Sequence, residues 1–371
     1  MSYEEELVWR RIEEDSDTSR RAFVGGVAGA VTAAVAAGAL ISRSAFAKST
    51  KGDLEGTADL AARPPAGFVP FAAPGLIAKV KKADCLMPNG YYPKESDARA
   101  MLERAMQELT GKGSLVEATR LFVHPDDKVC VKVNGIATKM MGTNRELVLP
   151  FLEAMIASGV KPENISVLEQ YGSFLAATRI DEKSVPKGVN VVVHSNGNAD
   201  MDSRRIPGTG TSTKFCRTLV ESTAVINFSL IKDHSICGYT GCLKNLTHGT
   251  MINPSAFHGN HASPQIALLF AQDVIRSRVR LNITDGFKIM AHGGPLWKKP
   301  EFVVPHEAVY VTTDPVAMDA IGWDLVEEAR KKFSLKTLTE SGRIPAYIRA
   351  AADLGLGIED RKQIRLREVT I

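Results

Sequence analysis

Residues 230–264 concentrate side chains that could do chemistry. They hold four of the eight histidines (His234, His248, His258, His261) and two of the five cysteines (Cys237, Cys242), with Lys232, Lys244 and four glycines among them. Imidazoles exchange protons near neutral pH and suit nickel, copper, zinc or iron. A lysine held near cations or in a partly apolar site has its pKa depressed and can serve as base, nucleophile or covalent tether. We therefore read Lys232 and His234 as functional, with His234 a general acid/base or a metal ligand. Lys244, with Asn245 and Gly241 beside it, is a candidate for any of these roles or for holding a cofactor or phosphate, and His261 or else His258 is a candidate metal ligand. The plainer alternative for Lys244 is a surface or phosphate-binding lysine. His258 and His261 share a face only if their Gly- and Asn-containing loop is helical. Cys237 and Cys242 could form a disulfide, bind a metal or do neither, and their spacing is not that of a zinc ribbon or a ferredoxin cluster.

Two other apolar runs end in comparable groups, Lys132-x-Asn134 and Asp285-Gly286. In a parallel sheet neighbouring strand ends converge on one crevice, where open α/β folds bind ligands. Lysine is not a turn former and is costly at a buried strand end. Lys132 is therefore taken as catalytic, and Asn134 and Asp285 as cofactor-binding, against the reading in which Asp, Asn and Gly simply make turns. His124, His194 and His306 lie outside any cluster and are read as structural.

The elements that must position these groups follow from periodicity. Asp97 to Leu109 places Ala98, Met101, Leu102, Ala105, Met106 and Leu109 on one helical face. A strand is expected at 129–133, then a helix from about Asn144, capped by Thr143 or Asn144 and stopping near Ser158-Gly159. Further strands are expected at 165–168, 189–194, 224–228, 279–283 and 308–312. Helices are expected at 213–221 and 265–275, and one follows Asp314-Pro315, where Asp314 is a natural N-cap and Pro315 suits the first helical position. The last 40 residues read as short helices. This alternation predicts an α/β fold, a largely parallel sheet flanked by helices with a ligand crevice at the strand C-terminal ends.

Ser19-Arg20-Arg21-Ala22-Phe23-Val24, an Ala/Gly-rich run to Ile41 and the small-x-small site Ser44-Ala45-Phe46-Ala47 predict a twin-arginine signal peptide over 1–47. An uncleaved anchor is the alternative. Residues 48–80, rich in Pro, Gly and Ala, read as an extended lead-in, and 81–371 as the α/β domain (core 125–330), in one body or two lobes. The expected location is the periplasm, with the twin-arginine translocase as a partner. Cleavage would take five of the 46 Lys+Arg and seven of the 42 Asp+Glu, leaving a net charge of about +6. That modest charge, with no basic stripe interleaved with aromatics, speaks against nucleic acid. Aromatics at 6% speak against a sugar cleft, and no Gly-x-Ser-x-Gly elbow supports a hydrolase.

The set Lys132-x-Asn134, Lys232-x-His234, Gly241-x-x-Lys244-Asn245, Asp285-x-x-Lys288 and Asp314-Pro315-Val316-Ala317-x-Asp319 resembles domain-of-unknown-function family 362 over roughly residues 125–330. More distantly, His234-x-x-x-Gly238-Tyr239-Thr240-Gly241-x-x-Lys244 resembles the nickel-pincer-nucleotide lactate racemase family, as does Gly159-Val160-x-Pro162-Glu163-Asn164-Ile165. That likeness implies a lysine-tethered cofactor at Lys244, a catalytic base at His234 and a nickel ligand in 258–264. Its second catalytic histidine has no counterpart, because Glu169-Gln170-Tyr171-Gly172-Ser173 stands there instead. The function expected is an exported enzyme, dependent on a nickel-containing nucleotide-type cofactor or another transition metal, that moves a proton or hydride on a small organic acid. The alternative is a non-catalytic periplasmic metal- or anion-binding protein, or an accessory to an iron–sulfur redox partner.

Overall fold

The computed structural model describes residues 60–195, 203–296 and 299–371. The expected signal peptide and the first part of the expected lead-in lie outside the described residues. The strands are β1 (Leu76–Lys81), β2 (Val129–Lys132), β3 (Ile165–Glu169), β4 (Asn190–Val193), β5 (Arg204–Arg205), β6 (Ser212–Thr213), β7 (Ala224–His234), β8 (Gly238–Thr240), β9 (Val279–Met290), β10 (Val303–Thr312) and β11 (Arg365–Thr370). Nine of them form one sheet in the order β11-β1-β10-β9-β7-β2-β3-β4, with β8 on the end of β7. β9, β7, β2, β3 and β4 run parallel, while β10 is antiparallel to β9 and β1. The fold is thus the expected α/β class with a mostly parallel sheet.

Helices α1 (Glu95–Thr110) and α2 (Arg145–Ala157) pack their apolar stripes on one face of the sheet. The six expected residues of α1 are all buried there, where the helix packs on β1 and β10. The other face is covered by α3 (Cys242–Thr247), α4 (Pro315–Lys332) and the helix at Tyr347–Asp353. Burying apolar stripes on both faces is what makes the central strands nearly continuous in hydrophobic residues. Asp314 caps α4 by accepting from Ala317 N at 2.9 Å. Among the described residues no helix is long and apolar enough to cross a membrane.

Several elements differ from their sequence reading. The sheet starts inside the stretch read as lead-in, because Leu76–Lys81 pairs with both β10 and β11. The C-terminus supplies β11 as well as a helix. β7 runs on to His234 because β8 folds back on Lys232, Asp233 and His234. Asp285-Gly286 is not a turn but lies inside β9, where the pairing skips from Leu230 with Asp285 to Ile231 with Ile289 and bulges out the residues between. Gly286 is needed there, since a Cβ would stand 2.8 Å from Ala308 O. The expected helix at 265–275 is two, Gln265–Phe270 and Asp273–Arg276, separated where Gln272 is extended. Only Arg217–Glu221 of the stretch from 213 is helical, because Ser212–Thr213 pairs with β5.

Candidate active site

The C-terminal ends of β2, β3, β4 and β7 bring Lys132, Glu169, His194, Lys232 and His234 into one region, all nearly or fully buried. Alternation along β7 sends Lys232 and His234 to one side and Asp233 to the other. There Asp233 pairs with Arg343 at 2.9 Å and lies 3.5 Å from Arg330. Helix α3 carries Lys244 and Asn245 into the same region. Its start is pinned from a distance, as the Asp319 carboxylate accepts the backbone N–H groups of Cys242 (2.5 Å) and Leu243 (3.1 Å). That carboxylate satisfies donors that a helix start leaves open. Burial pushes its pKa up to about 7.

Two lysines form one half of the site. Lys132 Nζ lies 3.1 Å from Glu169 Oε2 and also donates to Val133 O. Lys232 Nζ donates to Asn134 Oδ1 at 2.8 Å. From there an oriented row of carboxamides runs into the sheet. Asn134 Nδ2 donates to Asn245 Oδ1 (3.0 Å), Asn245 Nδ2 to Asn227 Oδ1 (2.7 Å), and Asn227 Nδ2 to Asn282 Oδ1 (2.8 Å). Each amide spends its N–H on the next, which fixes Asn134 with its oxygen toward Lys232. Burial pulls the Lys232 pKa down to about 7, against the pull of Glu169 and with the help of Lys244 and Lys132.

The other half centres on Lys244, whose Nζ touches His234 Nε2 and lies 3.1 Å from His258 Nε2. Hydrogen-bond accounting assigns the protons. His234 Nδ1 accepts from the backbone N–H of Ile236 (3.1 Å) and Cys237 (3.4 Å), so a neutral His234 carries its proton on Nε2 and donates to Lys244. His258 Nδ1 donates to Pro254 O (3.0 Å), so its Nε2 accepts from Lys244. A lysine that accepts one hydrogen bond here is a neutral amine. Burial lowers the Lys244 pKa, and burial first and Lys244 second hold His234 and His258 below the ordinary histidine value. The result is a chain, His234 to Lys244 to His258, along which a proton can pass.

The sequence-predicted residues fall into place unevenly. Lys132, Asn134, Lys232, His234, Lys244, Asn245 and His258 are brought together. Gly241 lies at the start of α3, where a Cβ would stand 2.2 Å from Asp319 Oδ1. Asp285 is buried and accepts from the N–H and side chain of Asn144, both at 2.8 Å. Asn144 therefore sits at the N-cap position of α2 without capping it by its side chain. His261 directs Nδ1 to Ile236 O at 3.0 Å. Among the described residues no three His, Cys, Asp or Glu side chains are gathered to hold a metal ion. Cys237 and Cys242 are free and buried, as are the other three cysteines.

Sequence reasoning passed over His194 and His248 as site residues. His194 Nε2 contacts Gly249 O at 3.1 Å and feels the charge of Lys132, while the His248 ring meets that of His258 edge-on. The signal for His194 was available, since it directly follows β4 just as Asn134 nearly follows β2.

A domain of unknown function (DUF362) matches residues 129–324, more than half of the chain. The chain belongs to this family. The matched stretch runs from β2 into α4 and so takes in every lysine and histidine of the site. No curated protein matches the chain. Among solved structures, the lactate racemase apoprotein from Thermoanaerobacterium thermosaccharolyticum is similar at 11% identity and a TM-score of 0.39. The match covers 66% of this chain and 59% of that one, so the chain spans less than two thirds of that protein's length.

Proposed function

We propose that this protein is an enzyme that moves a proton on a small organic acid. The observation that carries this reading is Lys244, an amine held between His234 Nε2 and His258 Nε2 at a buried strand end. Neutral imidazole and neutral amine in contact make a base that can take a proton from carbon and a relay that carries it away. Lys132 and Lys232 face this relay from β2 and β7 with Glu169 as the nearby carboxylate, which leaves the site short of negative charge and suits a substrate carboxylate.

A cofactor tethered at Lys244 with a metal on His258 or His261 belongs to the same proposal. An uncharged amine suits a tether. A resident metal fits less well, because His258 Nε2 faces Lys244 and His261 Nδ1 faces Ile236 O, with no third donor gathered among the described residues. The proton steps are therefore derived through side chains alone. Export by the twin-arginine route is likewise part of the proposal, supported by Arg20-Arg21 and the apolar run behind them.

The test is incorporation of solvent deuterium into a panel of 2-hydroxy and 2-oxo acids, followed by NMR. Wild-type protein should exchange the hydrogen beside the carboxyl or carbonyl group, and His234→Gln and Lys244→Met should each lose at least about a hundredfold in rate, the lower end of the range for one acid/base group. Tight binding of these acids without exchange would instead favour a non-catalytic anion-binding role.

A further inference from the structure

Lys232 is fully buried, and among the described residues its hydrogen bond is to a neutral group, Asn134 Oδ1. An ammonium has three donors and a full charge, and burying it without an anion is expensive. The nearby carboxylate, Glu169, contacts Lys132 instead. Lys132 stands close enough to repel a further positive charge, and burial acts in the same direction. A free amine meets none of these costs. It donates one hydrogen to Asn134 and keeps a lone pair for an electrophile, which is how a desolvated lysine beside another cation becomes a nucleophile.

We propose that Lys232 forms an imine with the carbonyl carbon of a 2-oxo acid, whose carboxylate lies by Lys132. The inference rests on the reading of this region as an acid-binding enzyme site. The Nζ lone pair adds to the carbonyl carbon while the C–O π bond opens. The two amine hydrogens leave with the oxygen as one water as the C=N bond closes, so nothing is oxidised or reduced. Moving a proton from the carbon next to the imine to the imine nitrogen, by way of the neutral Lys244 amine held between His234 Nε2 and His258 Nε2, then gives an enamine. The oriented carboxamide row has a purpose in this scheme: it presents an oxygen to Lys232 that can accept a hydrogen yet cannot neutralise a charge.

Reductive trapping tests the proposal. The full folded protein is incubated with pyruvate, 2-oxobutyrate or oxaloacetate and cyanoborohydride, which reduces an imine to a stable secondary amine, and labelled peptides are mapped by mass spectrometry. The expected result is one substituent per chain, on Lys232, formed roughly a hundredfold faster near neutral pH than on exposed lysines of ordinary pKa. Lys232→Met should remove the label and Lys244→Met should keep it. Should Lys232→Met not fold, the peptide map of the wild-type protein still assigns the site. No label with any of the three acids, a label confined to Lys244, or one spread over surface lysines would overturn the proposal. Deuterium exchange in parallel samples separates the two readings. Exchange without an adduct on Lys232 refutes the imine and leaves proton transfer standing, whereas an adduct without exchange does the reverse.

Discussion

Asn134 Nδ2 donates to Asn245 Oδ1 across 3.0 Å, tying the end of β2 to α3 and setting which atom of Asn134 faces Lys232. The bond is one link in a row, so removing the Asn245 side chain leaves two buried partners unmet, Asn134 Nδ2 and Asn227 Oδ1. Asn245→Ala should therefore destabilise the protein by about 2–4 kcal/mol in urea unfolding, at or above the usual cost of one orphaned buried polar group. A loss below about 0.5 kcal/mol would mean that the row is not formed.

The same contact predicts a sharper experiment. Asn134→Asp replaces a neutral acceptor by a carboxylate 2.8 Å from Lys232 Nζ. An adjacent anion favours the charged form of a lysine. The Lys232 pKa should rise from about 7 toward the ordinary range, followed by NMR of labelled lysine side chains, and trapping by 2-oxo acids should fall with it. An unchanged titration would show that Asn134 does not set the state of Lys232.

His194 gives a stability signature. Burial, with Lys132 adding to it, lowers its pKa from 6.5 to about 4. Between those values the unfolded chain binds a proton there that the folded chain does not. The stability contributed by keeping His194 neutral is thus complete above pH 6.5 and is lost as pH falls toward 4. Against His194→Gln, wild type should lose ground through that window by at most about 1.4 kcal/mol per pH unit, measured as unfolding free energy in a pH series. A pH-independent difference would place His194 in solvent.

All five cysteines are free and buried, and burial raises the thiol pKa of each. Thiolate is the reactive form, so a folded chain should react slowly with an aromatic disulfide reagent. Native protein should titrate close to none of its thiols within minutes, and unfolded protein all five. One or two fast thiols in the native state would contradict the buried placement of Cys237 and Cys242.

What the sequence made legible was whatever repeats with a local period. The stripe Ala98, Met101, Leu102, Ala105, Met106, Leu109 names the buried face of α1 because helical spacing alone decides it. Lys132, Lys232 and His234 stood out as costly groups at the ends of apolar runs. Asn227 and Asn282 did not, because a polar residue within a strand reads as solvent-facing until the register shows the two opposite each other. The full length of β7 was hidden for a related reason. Lys232, Asp233 and His234 look like the end of a strand, and groups distant in sequence, among them Arg330 and Arg343 at Asp233 and Asn134 at Lys232, make their burial tolerable. The support of α3 by Asp319 is equally non-local, and helix-start chemistry near Asp314 drew attention away from it.

That support makes Gly241 the most sensitive backbone position of the site. A Cβ there would stand 2.2 Å from Asp319 Oδ1, 2.5 Å from Tyr239 Oη and 2.6 Å from Tyr239 Cε1. The Tyr239 ring cannot retreat, because its hydroxyl already lies where a Cβ on Gly322 of α4 would be. Asp319 cannot move without releasing the N–H groups of Cys242 and Leu243. Gly241→Ala should cost roughly 2–4 kcal/mol, adding overpacking to the loss of a helix-start acceptor. Because α3 carries Lys244, deuterium exchange should fall as well. Asp319→Asn, which adds no bulk and keeps one acceptor oxygen, should cost less, in the range of about 0.5–2 kcal/mol for an impaired cap. Thermal and urea unfolding of the two variants side by side check the order. If Asp319→Asn proved the more damaging, the charge on Asp319 would matter more to α3 than the space around Gly241.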